Sequence, residues 1–112
     1  SPAMSLPDPP FVREIDAKAA GGDDACQAAA RCLQAMRSVI GQNKMVPSPT
    51  AYFAATVAAL QKLEQQGETE ATASALLLLL RRAMAAAPPG VVRARAADVS
   101  VALSAVLRNA GN

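Results

Sequence analysis

The stretch that decides the fold is Ala71-Thr72-Ala73-Ser74-Ala75-Leu76-Leu77-Leu78-Leu79-Leu80-Arg81-Arg82-Ala83-Met84-Ala85-Ala86-Ala87. It contains no Gly or Pro and only one β-branched residue, Thr72, and it is built from the two best helix formers. Its five consecutive leucines cover every side of a helix, and a helix that is apolar all round is normally buried between two layers. The reading is a helix from about Thr69 to Ala87 at the centre of the molecule, its second face meeting either the first elements of the chain or another copy or repeat. Arg81 and Arg82 mark where it reaches solvent. They also interrupt the apolar run, which is too short and too charged for a membrane span.

The rest of the chain agrees. Of its 112 residues 27 are alanine, and only Phe11, Tyr52 and Phe53 are aromatic. Alanine favours helix and disfavours strand, so an all-β fold is excluded. Upstream, Ser48 is a natural N-cap with Pro49 at the first helical position. The helix they start carries Phe53, Val57 and Leu60 as one stripe, widened by Tyr52, Thr56, Ala59 and Leu63, and ends before Gly67. Before it, a helix from Asp23-Asp24 to about Ile40 places Ala29, Leu33, Met36 and Ile40 on one face. Arg31 and Arg37 lie off that face and are expected to meet solvent, and Gly41 is expected to stop the helix. Asp8 is expected to cap a short helix over residues 10–19, with Pro9 at its first position, and Gly21-Gly22 to end it. Downstream, Pro88-Pro89-Gly90 breaks the chain. One further helix is expected from about Val91 to Asn109, with Val92, Ala96, Val99, Leu103 and Val106 inward and a stop signal at Ala110-Gly111-Asn112.

This divides the chain into a Pro-rich disordered leader over residues 1–10, a short helix and Gly linker over 11–22, and a helical domain over 23–112. Ser1-Pro2-Ala3 reads as a cloning scar before a natural start at Met4. The loops are short and force antiparallel neighbours. Two helix pairs at about 40-residue spacing match a HEAT- or armadillo-like solenoid fragment, or equally a compact four-helix bundle. The all-round apolar helix leans toward the solenoid. The expected core is Leu33, Met36, Ile40, Phe53, Val57, Leu60, Leu76, Leu80, Val99, Leu103 and Val106.

Chemistry-bearing residues are sparse. There is no His, hence no His-based acid–base pair and no His metal ligand. No phosphate-binding Gly-rich loop is present. Cys26 and Cys32, at i and i+6 of one helix, cannot form a disulfide while it is intact, and free thiols fit a reducing compartment. Asp23 and Asp24 oppose any activation of Cys26. Glu64, Glu68 and Glu70 flank a helix start, where the macrodipole favours acids. No catalytic residue, cofactor or metal is expected. The charge is unevenly spread: residues 1–70 carry six basic and eight acidic side chains, a net −2, whereas residues 71–112 carry five arginines and one aspartate, a net +4. Arg81 and Arg82, and Arg93 and Arg95 across the Pro turn, are expected to share one edge able to hold phosphate or carboxylate in bidentate fashion. Against a nucleic-acid grip, no aromatic side chains interleave them for base stacking.

The segment Leu33-Gln-Ala-Met36-Arg-Ser-Val-Ile40, the motif Tyr52-Phe53-Ala54-Ala55 and the element Ala75-Leu76-Leu77-Leu78-Leu79-Leu80-Arg81-Arg82, followed by a Pro turn and Val91-Val92, resemble the N-terminal helical repeats of the RRP12-like family over residues 33–107. The turn from Ala85 to Pro89 is longer here than in that family. The resemblance implies the N-terminal piece of a much longer HEAT/armadillo-type protein. It also implies a non-catalytic scaffold for assembly and export of the small ribosomal subunit precursor, binding pre-ribosomal RNA and proteins in the nucleolus, nucleoplasm and cytoplasm. A different reading of the same residues is a small adaptor that self-associates as a homo-oligomer through a surplus apolar helix face.

Overall fold

The computed structural model describes residues 6–66 and 70–110, without the side chains of Glu64, Gln66, Asn109 and Ala110. These residues form six α-helices and no strand: α1 Pro10–Ala20, α2 Asp24–Gln42, α3 Pro49–Gln66, α4 Glu70–Ala86, α5 Pro89–Ala94 and α6 Ala96–Ala110. The all-α expectation holds.

Local chemistry sets most of the boundaries. The Asp23 carboxylate accepts from the Cys26 N–H at 2.9 Å and starts α2. The Ser48 hydroxyl accepts from the Ala51 N–H at 3.2 Å and starts α3, with Pro49 following it. Removing that hydroxyl in Ser48→Ala should cost about 1 kcal/mol of stability, read as a lower urea midpoint at unchanged slope. α1 ends because Gly22 sits at φ +101, which lets the Asp23 N–H reach the Lys18 carbonyl at 3.1 Å. Gly41 does not stop α2 as expected. The helix continues to Gln42, and the turn is made by Lys44 at φ +55, with the Met45 N–H closing on the Ile40 carbonyl at 3.0 Å.

The helices form two stacked pairs rather than a closed bundle. α1 and α2 make one pair and α3 and α4 the next, these being the most extensive contacts between helices. α4 stacks on α2 and α3 and reaches α1, α6 stacks on α3, and α1 lies on α2. Helices next to each other in the chain therefore pair, and the pairs stack through α4 on α2 and α6 on α3, as in a solenoid of helical repeats. The result is a slab of 52 × 35 × 23 Å. Within it α4 is central: Leu76, Leu79 and Leu80 are buried, and Leu77 and Leu78 are half-buried against the core. The core is continuous from Val12 and Ile15 of α1 to Val99 and Ala102 of α6, and its largest fully enclosed side chains include Tyr52, Phe53, Leu33, Leu60 and Leu79.

Three further local expectations are corrected. The helix expected from Val91 to Asn109 is two helices meeting at Arg95 (φ −106, ψ 12). The Arg95 N–H closes a tight turn on the Val92 carbonyl at 3.1 Å, and the Arg95 carbonyl accepts from Val99 N–H at 3.0 Å to open α6. The bend turns Ala96 outward and centres the buried stripe on Val99, Ala102 and Ala105, so Leu103 and Val106 are half-buried rather than core.

Second, Asp8 does not cap α1. The N-cap is Pro9, which has no side-chain donor or acceptor to offer, and Pro10 takes the first helical position. The Asp8 carboxylate accepts instead from the Tyr52 hydroxyl at 2.7 Å and from Arg37 Nε at 3.0 Å.

Third, Arg37 does not simply meet solvent. It is half-buried between Asp8 and Asp16, donating from Nη2 to Asp16 Oδ2 at 3.0 Å as well. Phe11 packs edge-on against the Tyr52 ring, centroids 6.2 Å apart. These contacts fasten α1 and residues 8 and 9 to α2 and α3. Residues 1–5 of the expected leader, Gly67 and Glu68, the expected helix start at Thr69, and the Gly111-Asn112 end of the stop signal lie outside the described residues.

Candidate interaction surface

The four arginines read from the sequence sit where two helices end and two begin. Arg81 and Arg82 are exposed on the last turns of α4, on the side opposite buried Leu79, Leu80 and Ala83. Arg93 is exposed on α5, and its guanidinium folds back toward Gly90, whose missing Cβ would lie 3.9 Å from Nη2. Arg95 stands at the α5–α6 joint and donates from Nε to Asp98 Oδ2 at 2.8 Å.

The structure thus keeps Arg81, Arg82 and Arg93 at the surface and engages Arg95 with the acid one turn into α6. The Glu14 carboxylate is held below the usual range by its hydrogen bond and charge contact with Lys18, and the Arg82 charge adds to this. Among the described residues Arg95 alone of the four is held in an ion pair, so it is the least available for a partner; the others offer open forks. Arg108, on the last turns of α6, adds a further exposed cation that spacing alone does not link to this set.

The remaining polar chemistry is structural. Neither cysteine is in a disulfide. Burial pushes the Cys26 thiol up, and the Asp23 carboxylate that caps its helix pushes the same way, so it is a poor thiolate. The described residues contain no group of side chains able to hold a metal ion. Among them no helix is long and apolar enough to cross a membrane. Of the acidic cluster expected at the α3–α4 loop, Glu68 and the Glu64 side chain lie outside the described residues, and Glu70 is exposed in the first turn of α4.

Sequence reasoning did not find the Asp8–Tyr52–Arg37–Asp16 network, whose members lie up to 44 residues apart. Burial works against the Arg37 charge, but the hydrogen bond and charge of Asp8 more than offset it, so its pKa is raised. Burial first, and then the Asp8 carboxylate that accepts its proton, push the Tyr52 phenol up to about 12. The unfolded chain ionises this phenol near the ordinary value of about 10. Above that pH the unfolded state loses a proton that the folded state keeps, so stability is fully present below about 10 and falls as pH rises from 10 toward 12. Urea midpoints measured up to pH 11 should show this alkaline loss in the native sequence and a much shallower one in Tyr52→Phe.

Apolar surface is also left open. On α6, Val101 is 63% and Leu107 71% exposed. Between α2 and α3 lies an apolar groove that the first turns of α4 help to line.

Compared with known families, the chain matches one over α2 to its end: the family described as RRP12-like, N-terminal HEAT repeats, over residues 26–112. No curated protein and no solved structure matches it.

Proposed function

We propose that this chain, which belongs to the RRP12-like family through its N-terminal HEAT repeats, is a non-catalytic scaffold that binds pre-ribosomal RNA and proteins during biogenesis and export of the small ribosomal subunit. HEAT repeats present extended rigid surfaces to partners, and the family's fold is that of a scaffold. The place of action is the nucleolus and nucleoplasm, with passage to the cytoplasm. The observation that carries the RNA part is the concentration of positive charge in residues 71–112, with Arg81, Arg82 and Arg93 exposed at the α4–α5 end. A phosphate backbone meeting such forks releases counterions, which gives affinity without base readout.

The test is fluorescence anisotropy with a labelled fragment of small-subunit precursor RNA at several salt concentrations. The combined variant Arg81→Glu, Arg82→Glu, Arg93→Glu and Arg95→Gln should bind about tenfold or more weakly and show a shallower salt dependence. Its circular dichroism should be unchanged, because three of the side chains are exposed and glutamine spares Asp98 a like charge. Equal affinity and an equal salt slope would sink the RNA reading.

A second reading, a self-associating adaptor, rests on exposed Val101 and Leu107 of α6. Sedimentation velocity decides it: mass rising with concentration in the native chain but not in Leu107→Lys supports it, and a strict monomer counts against it.

A further inference from the structure

The groove between α2 and α3 has a volume of about 270 Å³. Buried Met36, Leu63 and Leu76 form its floor, and small or exposed side chains, among them Ala35, Ala58 and Val39, form its rim. We propose that it docks an amphipathic helix of a partner protein, one whose apolar anchors are flanked by acidic side chains. This goes beyond the scaffold reading above and uses a different surface from the arginine edge.

Four observations lead there. The volume falls just below the range of small-molecule pockets, about 300–1,000 Å³, and the exposed rim leaves the groove open along its length. It runs along α2 from Cys32 to Val39, about 10 Å at 1.5 Å per residue, which is two turns of a visiting helix and the reach of anchors at i, i+4 and i+7. The alanines on both walls let a second backbone approach closely, since interaxial distance is set by the side chains at the contact. Val39 at one end is 51% exposed, an apolar side chain with no cover.

Charge sets the partner's polarity. Among the described residues the charged side chain that lines the groove is Lys62 of α3. On the opposite wall exposed Arg31 stands one turn before Ala35, in line with Ala35 and Val39. Lys62 on one rim, with Arg31 a turn beyond the end of the other wall, favours a helix carrying Asp or Glu beside its apolar stripe. The same cations disfavour a second copy of this chain seated groove to groove, which would bring like charges together. RNA is disfavoured by the walls, which offer a base no aromatic face to stack on.

The experiment is a ¹H–¹⁵N titration of the whole chain with a synthetic helical peptide bearing leucines at i, i+4 and i+7 between glutamates. A matched peptide with lysines in place of the glutamates is titrated in parallel. Saturable shifts should appear at amides of α2 and α3 bordering the groove, and the lysine peptide should bind about fivefold more weakly. Ala58→Trp, which fills the mouth from an exposed position, should lose about tenfold in affinity, and Ala35→Trp should do the same from the other wall. Lys62→Glu should narrow or reverse the preference between the peptides.

No saturable shift, shifts confined to α6, or full affinity in both tryptophan variants would overturn the proposal. So would concentration-dependent shifts at the groove amides without peptide, which would make a second copy the occupant. The arginine-edge variant leaves the groove intact, so loss of RNA binding and loss of peptide binding are separate outcomes.

Discussion

Phe53→Ala should remove about 3–5 kcal/mol of stability, close to or beyond what a domain of this size has to lose. Phe53 is fully enclosed and sits on α3, the helix that packs on α2, α4 and α6 at once. Two contributions add: the transfer free energy of the ring, and the cavity it leaves. The second is large here for a reason particular to this chain. The cavity cost falls when long flexible neighbours lean in, but much of this core is alanine, including Ala29, Ala51, Ala75, Ala83 and Ala102, and alanine has no rotamer with which to follow. Urea unfolding at unchanged slope measures the loss. A cost below about 1 kcal/mol, the level of an ordinary substitution, would mean that α3 is not the centre of the core.

The converse change should also be costly. Ala83→Leu should destabilise by about 1–3 kcal/mol. Leu76, Leu80, Ala83 and Ala87 form one stripe at i, i+4, i+7 and i+11 of α4, and Ala83 has no exposed surface at all. A leucine there pushes helices apart or leaves its rotamer, because packed interiors have little free volume. Its control lies two residues away: Ala85 is exposed, and Ala85→Leu should stay within about 0.5 kcal/mol of the native sequence. The pair separates alanine used as a spacer from alanine used for its helix propensity. Equal melting temperatures for the two variants would remove that distinction.

What could be read ahead of the structure follows the range of each interaction. Caps act over three residues, so Ser48-Pro49 and Asp23 announced their helices, and stripes act within one helix, so Leu33, Met36, Ile40, Val57 and Leu60 announced the core. Arg37 could not be read, because its environment is made by Asp8 and Asp16, 29 and 21 residues away and on another element. By helix periodicity alone it was one more solvent-facing cation. The joint at Arg95 was hidden for a different reason. Arg93-Ala94-Arg95-Ala96-Ala97 contains no Gly or Pro, every residue in it is a good helix former, and the bend comes from packing α6 onto α3. The four arginines were legible as a composition, but the pairing of Arg95 with Asp98 was not. The groove is a gap between helices, and no pattern within one helix encodes a gap.

The Asp8 contact also has a place in time. Asp8 and Tyr52 are separated by 44 residues, so closing that loop costs entropy that only the docked helices between them can offset. As the chain leaves the ribosome, Asp8, Asp16 and Arg37 emerge before Tyr52 and can pair as soon as α2 has formed. The phenol arrives last and takes the carboxylate oxygen that Arg37 leaves open. The final hydrogen bond of the network is thus a completion signal, formed only once three helices stand in their native arrangement.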